Sequence, residues 1–280
     1  MGVIDFILNV AGVLLWFNWR SLGFDPLAQS RAATLVGTLR RAEARPQRRW
    51  HYLLALLALL YFRALLYWEI GPSVAWIPSL KLGAIAIPFR SDIFLRACLF
   101  SILSFGISLA VSYLWLLLMS LANGREAEPD PVQRMVRMHL GLVDRWPWPV
   151  KLLVPVLVAG LFWVGLSPLL AKWKMVPAPV SIAHLLEQAG ALGLAAYLTW
   201  KYLLAGVLAL YLLSSYVYLG HHALWNFLAL TGKNILAPIR FIPMRFGKVD
   251  IAPILGVTLV FVGSEFAERG LTALYSRLPL

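Results

Sequence analysis

Residues 93–121 read IFLRACLFSILSFGISLAVSYLWLLLMSL, and this stretch decides the fold. It contains one charged residue, Arg96, and is otherwise almost entirely apolar. About 20 apolar residues are enough for a helix to cross the hydrocarbon core of a bilayer. A spanning segment must also satisfy its own backbone hydrogen bonds, which a helix does. The stretch therefore predicts a transmembrane helix.

The rest of the composition agrees with a membrane protein. Of the 280 residues, 60% are hydrophobic and 14% are charged, whereas soluble domains carry about 25% charged residues. Four further apolar runs are long enough to span, at residues 50–69, 151–170, 185–219 and 251–266. The sequence therefore predicts an all-α integral membrane protein with five or six transmembrane helices.

The sixth helix depends on residues 2–19, for which two interpretations stay open. The run is apolar but short, and it contains Asp5 and Asn9. It is either a further span or a helix that lies in the bilayer interface, anchored by Trp16, Phe17 and Trp19.

The distribution of Lys and Arg predicts the orientation. Sixteen lie in segments 20–49, 123–151 and 220–250, and six lie in the connections and the C-terminal segment expected on the other side, namely Lys81, Arg90, Lys172, Lys174, Arg269 and Arg277. Because cytoplasmic loops are enriched in Lys and Arg, the three basic segments are expected in the cytoplasm and the C-terminus outside. We expect a multi-pass protein of the bacterial cytoplasmic (inner) membrane whose basic loops contact anionic lipid head groups.

The chain also shows a repeated order of segments. A long apolar run, a basic proline-rich segment and a shorter apolar run occur twice in succession. We accordingly divide the chain into an N-terminal apolar helix with a basic cytoplasmic segment (1–50), a first firm span with its outer loop (51–92), a degenerate first repeat (93–184) and a second repeat (185–280).

Three cations lie within or near the apolar runs. Arg63 and Arg96 are close enough to the ends of their runs to direct their charges to the bilayer surface. Lys201 lies 16 residues into the fourth run and is harder to explain. Either it marks the outer interface or it is a functional charge inside the membrane.

Residues 230–255, LTGKNILAPIRFIPMRFGKVDIAPIL, form the most distinctive stretch. Its two central prolines break any helix, and its alternating apolar and basic residues are typical of a segment that lies along the bilayer surface. Asp250 is expected to cap the fifth span. The residues expected to dock a partner are Pro238, Arg240, Pro243, Arg245, Gly247, Asp250 and Pro253.

With Thr231 and the order Pro-Ile-Arg, Pro, Gly, Asp, Pro that follows it, residues 210–266 resemble the YggT family, also called YlmG. The chain departs from the family pattern at Gly232-Lys233, where Glu-Pro is usual, and at Ala252, where serine is usual. The resemblance is weaker over 93–170 and does not cover 1–50. It implies a small inner-membrane protein built from helix pairs that acts in the organisation or assembly of membrane complexes.

The sequence bears on three classes of function. A non-catalytic assembly protein, with other membrane proteins or a second copy as its partner, fits the apolar spans best. The alternative is a channel or transporter for a small solute or ion, involved in the osmotic response. An enzyme is not expected, because no catalytic motif, metal-ligand spacing or cofactor loop is present. Nucleic-acid binding is not expected either, because the basic residues flank spans.

Overall fold

The computed structural model describes residues 2–21, 50–73, 76–82, 85–124, 130–217, 223–239, 245–246 and 249–277. Its α-helices are α1 (Gly2–Ser21), α2 (Trp50–Ile70), α3 (Phe94–Asn123), α4 (Pro131–Leu140), α5 (Trp148–Lys172), α6 (Ile182–Ala195), α7 (Trp200–Tyr216), α8 (Ala223–Ile235) and α9 (Ala252–Arg277). Short 3₁₀ helices lie at η1 (Gly141–Arg145), η2 (Ala196–Thr199) and η3 (Ala237–Ile239). The prediction of an all-α protein is confirmed.

Strands are confined to two short antiparallel hairpins within these described ranges. The first joins β1 (Ser79–Leu82) to β2 (Ile85–Pro88), and the second joins β3 (Arg245–Phe246) to β4 (Val249–Asp250). The sequence did not predict either hairpin, because runs of two to four residues are too short to show an alternating pattern.

Among the residues that the structure describes, five helical stretches are long and apolar enough to cross a membrane: α1, α2, α3, α5 and the stretch Ile182–Tyr216. The protein is therefore a multi-pass membrane protein. The run predicted as the fifth span, 251–266, is not among these five stretches. It belongs to the longer helix α9, in which any 18-residue window includes Glu265, Glu268 and Arg269. These charges make α9 more polar than the other long helices.

The first compact unit comprises residues 1–78 and 89–110. Within it α1 runs antiparallel to α2, with Asp5 beside Arg63 and Gly12 beside Leu56. A Cβ atom at Gly12 would lie 3.0 Å from the Phe105 ring, so glycine permits this close approach. Because α1 lies along α2, the structure favours a spanning helix over an interfacial one. Its 20 residues correspond to about 30 Å.

The second unit comprises residues 79–88 and 111–280. Its closest helix pair is α5 and α6. These helices are antiparallel, and each has a glycine that lies against the backbone of the other. A Cβ atom at Gly160 would lie 3.3 Å from the Ala189 carbonyl oxygen, and one at Gly193 would lie 2.7 Å from the Val156 carbonyl oxygen. Small residues of this kind let two helix backbones approach closely. Such packing matters in a membrane, because lipid tails are as apolar as the side chains and the hydrophobic effect does not drive the helices together.

The fourth predicted span, 185–219, is not one continuous α-helix. The 3₁₀ turn η2 separates α6 from α7, although the turn contains neither proline nor glycine. Side chains bond the carbonyl groups there: the Thr199 hydroxyl donates to the Ala196 oxygen at 2.7 Å, and the Trp115 indole donates to the Thr199 oxygen at 3.2 Å. Side-chain hydrogen bonds of this kind replace backbone hydrogen bonds of the α-helix and stabilise a tightened turn inside it.

Two amphipathic helices follow the long helices of the second unit. Helix α4 follows α3, and α8 follows α7. Their inner faces share one apolar cluster, which consists of Val136 and Leu140 of α4, Phe227 of α8 and Leu117 of α3. The sequence segments 123–150 and 220–250 thus each contribute a packed helix to the second unit.

Candidate functional site

The most concentrated polar site of the first unit surrounds the guanidinium group of Arg63. This side chain is fully buried, with 0% of its surface exposed, whereas the Asp5 side chain is 23% exposed. Arg63 and Asp5 form an ion pair between α2 and α1. A cation inside a span is costly unless it is paired, so the pairing is what allows Arg63 to occupy this position.

Three further side chains complete this site, which we call the Arg63 cluster (Asp5, Asn9, Arg63, Tyr67 and Ser104). Arg63 donates to the Asn9 amide oxygen at 2.6 Å, to the Ser104 hydroxyl at 2.7 Å and to the Tyr67 hydroxyl at 3.0 Å. The Tyr67 hydroxyl in turn donates to Asp5 at 2.7 Å. The cluster therefore ties α1, α2 and α3 together.

Aromatic rings enclose one side of the Arg63 cluster. The guanidinium carbon lies 5.4 Å from the centre of the Tyr67 ring and 5.9 Å from that of Phe100. Trp76 packs against both rings, at 4.8 Å from Tyr67 and 6.0 Å from Phe100. Rings beside a guanidinium group stabilise its charge and keep water away from it.

The expectation that Arg63 directs its charge to the bilayer surface was wrong. Its partners are the other four side chains of the Arg63 cluster, and the sequence contained a signal for them. Asp5 and Asn9 are four residues apart in one apolar run, as are Arg63 and Tyr67 in the next. Residues with this spacing share a helix face, so two polar pairs of this kind predict facing helices.

A second polar site, in the second unit, joins α3 to α8. The Asn123 amide donates to the Thr231 hydroxyl at 2.9 Å and accepts from Asn234 at 3.4 Å. Thr231 is completely buried and donates to the Phe227 carbonyl oxygen at 2.7 Å. Thr231 is one of the residues that carry the family resemblance, and its place in the structure is an interhelical contact.

A third site, the Asp144 cluster (Ser120, Arg137, Asp144 and Lys151), joins α3, α4, η1 and α5. The Ser120 hydroxyl donates to Asp144 at 2.6 Å and accepts from Lys151 at 2.9 Å. The Asp144 carboxylate lies 3.6 Å from the Lys151 ammonium group and 3.7 Å from Arg137. The Ser120 hydroxyl thus donates a hydrogen bond to the carboxylate, and the charge of Lys151 is paired with it. These contacts hold η1 against α3 and α5.

Lys201, for which the sequence left two interpretations, has a partner on α9. Its ammonium group lies 3.1 Å from Glu268 and 5.3 Å from the centre of the Tyr202 ring. The Lys201 side chain is 18% exposed and that of Glu268 is 49% exposed. The pair joins α7 to α9 and neutralises the cation within the span.

The docking residues expected from the sequence are only partly described. Pro238 lies in η3, and Pro253 is buried in the first turn of α9, where a missing N–H group breaks no helical hydrogen bond. Arg245 and Asp250 are backbone partners in the β3–β4 hairpin. Arg240, Pro243 and Gly247 lie outside the described residues.

Asp250 lies two residues before the start of α9, and Ile251 occupies the position immediately before the helix. Ile251, and not Asp250, therefore occupies the N-cap position of α9. Among the described residues, no group of three or more His, Cys, Asp or Glu side chains is placed to hold a metal ion.

No family model, curated protein or solved structure matches this chain. The resemblance of residues 210–266 to the YggT family therefore stays a prediction. What the structure adds is the chemistry of three sites and one ion pair, in which polar side chains of the helices bind one another.

Proposed function

We propose that this protein is a non-catalytic membrane protein of the YggT type that organises or assembles other membrane proteins. The observation that supports this most is the pairing of polar side chains between helices. Arg63, Asn123 and Lys151 each donate a hydrogen bond to a side chain on a neighbouring helix of the same chain. In the described part, such groups fasten helices to one another, which suits a rigid scaffold.

An exposed face of α9 suits a partner helix. Phe261, Val262 and Phe266 surround a shallow groove there, together with Glu265 and Arg269. The two charged side chains are paired at 2.9 Å but remain more than half exposed. An exposed ion pair among apolar side chains is unfavourable in lipid, and a partner helix with polar side chains of its own would cover it.

The location belongs to the same proposal. The predominance of Lys and Arg in segments 20–49, 123–151 and 220–250 supports a bacterial cytoplasmic membrane protein with these segments in the cytoplasm and its C-terminus outside. The proposal takes α9 as a further crossing that begins at the cytoplasmic side, so that its charged half and the groove lie toward the outer surface. The partner would therefore itself be a membrane protein.

Affinity purification from membranes in mild detergent, followed by mass spectrometry, tests the proposal. We expect the same membrane proteins to co-purify with the wild type in every preparation. The double variant Val262→Ala/Phe266→Ala should lose them, because it truncates the groove. A matched control is Leu157→Ala/Leu161→Ala, which truncates an exposed apolar pair on α5. A wild type that always purifies alone, or equal losses in both variants, would contradict the proposal.

A channel or transporter is the second candidate. The Arg63 cluster favours it, because an ion pair inside spans is a frequent feature of proton and ion pathways and Asp5 is partly exposed. Flux through proteoliposomes that is abolished by Asp5→Asn or Lys201→Ala, with the fold intact, would support this function. No flux above that of empty liposomes, across protons and small cations, would argue against it.

A further inference from the structure

A chain of polar side chains runs through the otherwise apolar contact between α5 and α6. The Trp163 indole of α5 donates to the Gln188 amide oxygen of α6 at 3.2 Å. The nitrogen of the same amide lies 3.2 Å from Nε2 of His184, which is one turn earlier on α6. No more than 4% of the surface of any of these three residues is exposed. Their bonds therefore fasten the two helices at a place from which water is excluded.

The direction of these hydrogen bonds requires the His184 ring to be neutral. An indole N–H group can only donate, so the Gln188 oxygen must face Trp163 and the Gln188 NH2 group must face His184. Nε2 of His184 is then the acceptor and carries no proton. The backbone N–H group of Val180 approaches the other ring nitrogen, Nδ1, at the longer distance of 3.4 Å. A protonated ring, which can only donate, would accept neither bond.

A second acceptor for the ring is available on α5. The Ser167 hydroxyl, one turn beyond Trp163, is buried and has no hydrogen-bond partner among the described residues. Because the two helices are antiparallel and Trp163 bonds to Gln188, the position one turn further along α5 lies opposite His184, one turn back on α6. A buried hydroxyl without a partner is unfavourable. A protonated His184 ring has N–H groups that would satisfy it.

We propose that His184 is a proton-operated switch in the contact between α5 and α6. With a neutral ring, the bonds from Trp163 to Gln188 and from Gln188 to His184 hold the helices together. When the ring takes up a proton from water, its new N–H group meets the Gln188 NH2 group. The amide must then turn away, the Trp163 indole loses its acceptor, and the ring donates to Ser167 instead. Histidine is the side chain that ordinarily changes its charge between pH 5 and 8.

The charged groups near α6 leave this switch to the proton. The elements packed against α6 are α5, η2 and α9, and their titratable residues are Lys151, Lys172, Tyr197, Glu265, Glu268, Arg269 and Arg277. Both carboxylates are paired elsewhere, Glu265 with Arg269 and Glu268 with Lys201. Glu187 of α6 itself and Lys172 are exposed. Among the described residues, the state of the ring therefore depends on the proton and on its uncharged neighbours.

The place of His184 in the fold gives the switch its direction. Helix α6 begins at Ile182, so His184 lies in its first turn, and Val180 just before the helix is exposed. The charge distribution predicts that this end of α6 lies outside, so the switch responds to the pH outside the cell. Such a response goes beyond partner docking, because acid loosens one helix pair of this chain without any partner.

Thermal unfolding of the full-length protein in detergent at pH 8 and at pH 5 tests this inference. The unfolded chain binds the histidine proton freely, whereas the folded chain must give up the Trp163–Gln188 bond, so acid lowers the stability. The unfolding temperature of the wild type should fall about 3 °C further than that of His184→Gln, the size expected for one interhelical hydrogen bond. The matched control His51→Gln, which removes an exposed histidine of α2, should behave as the wild type.

Two further measurements separate a switch from a merely structural contact. Ser167→Ala removes the acceptor of the protonated ring only, so it should increase the loss at pH 5 and leave the unfolding temperature at pH 8 unchanged or higher. Nitrogen-15 NMR of the histidine rings should show an unprotonated Nε2 for His184 at pH 8 and N–H groups at both nitrogens at pH 5. The proposal is overturned if His184→Gln and His51→Gln lose the same amount, if Ser167→Ala lowers the unfolding temperature equally at both pH values, or if Nε2 of His184 carries a proton at pH 8.

Discussion

At the scale of single residues, Arg63 offers the sharpest test of what holds the first unit together. Its side chain is fully buried and bonds to Asp5, Asn9, Ser104 and Tyr67. We expect Arg63→Leu to lower the free energy of unfolding by about 3 kcal/mol, because it leaves the Asp5 carboxylate without its cation. Thermal unfolding in detergent, followed by the tryptophan fluorescence, measures the change.

The control is the double variant Asp5→Leu/Arg63→Leu. Replacing both members of a buried ion pair by apolar residues is often close to neutral, so the double variant should be more stable than Arg63→Leu alone. With Asp5→Leu as the second single variant, the three free energies give the coupling energy between Asp5 and Arg63. A coupling energy near zero, so that the effects of the two single variants simply add, would mean that the pair does not stabilise the unit.

Asn123 makes a corresponding contact in the second unit. Asn123→Ala removes the hydrogen bond to Thr231, whose hydroxyl keeps its bond to the Phe227 carbonyl oxygen. We expect a loss of about 1 kcal/mol, since interhelical hydrogen bonds in membrane proteins are worth this order. Thr258→Ala, which removes a hydroxyl bonded only within α9, should change the unfolding temperature much less. A larger effect of the Thr258 variant would contradict this assignment.

At the scale of elements, the pairing of α5 with α6 depends on Gly193. A Cβ atom there would lie 2.7 Å from the Val156 carbonyl oxygen, whereas one at Gly190 meets nothing within 4 Å. We expect Gly193→Ala to destabilise the protein by about 1–3 kcal/mol through overpacking. Gly190→Ala should be neutral or stabilising, because alanine favours a helix over glycine. The same unfolding assay compares the two, and a neutral Gly193→Ala would show that the helices can separate there without loss.

Length and composition predicted most of the helices, because an apolar run of about 20 residues has few alternatives in a membrane. The runs at 50–69 and 93–121 became α2 and α3 nearly unchanged. The break at η2 was not predictable from its own residues. It depends on Trp115 and on Tyr197, which donates to the Leu152 carbonyl oxygen, and both bonds reach other parts of the fold.

The polar clusters were predicted less well, since each joins residues distant in sequence. Asp5 and Arg63 are 58 positions apart, and Asn123 and Thr231 are 108 positions apart. A run of apolar residues shows that a helix spans but not which neighbour it faces. Polar pairs four residues apart, such as Asp5 with Asn9, are the local signal that was available.

At the scale of the whole molecule, the charge distribution predicts the side of the bilayer on which each connection lies. Lys172 is exposed at the end of α5, and Lys233 is exposed near the end of α8. The excess of Lys and Arg in 123–151 and 220–250 predicts that Lys233 lies in the cytoplasm, and a single crossing by α5 then predicts that Lys172 lies outside. In a Cys98→Ala background, we therefore expect a membrane-impermeant maleimide to label Lys172→Cys on intact cells. Lys233→Cys should react only after the cells are opened. Because both variants replace one exposed lysine, equal labelling of the two in intact cells would contradict the topology and not merely the accessibility of one site.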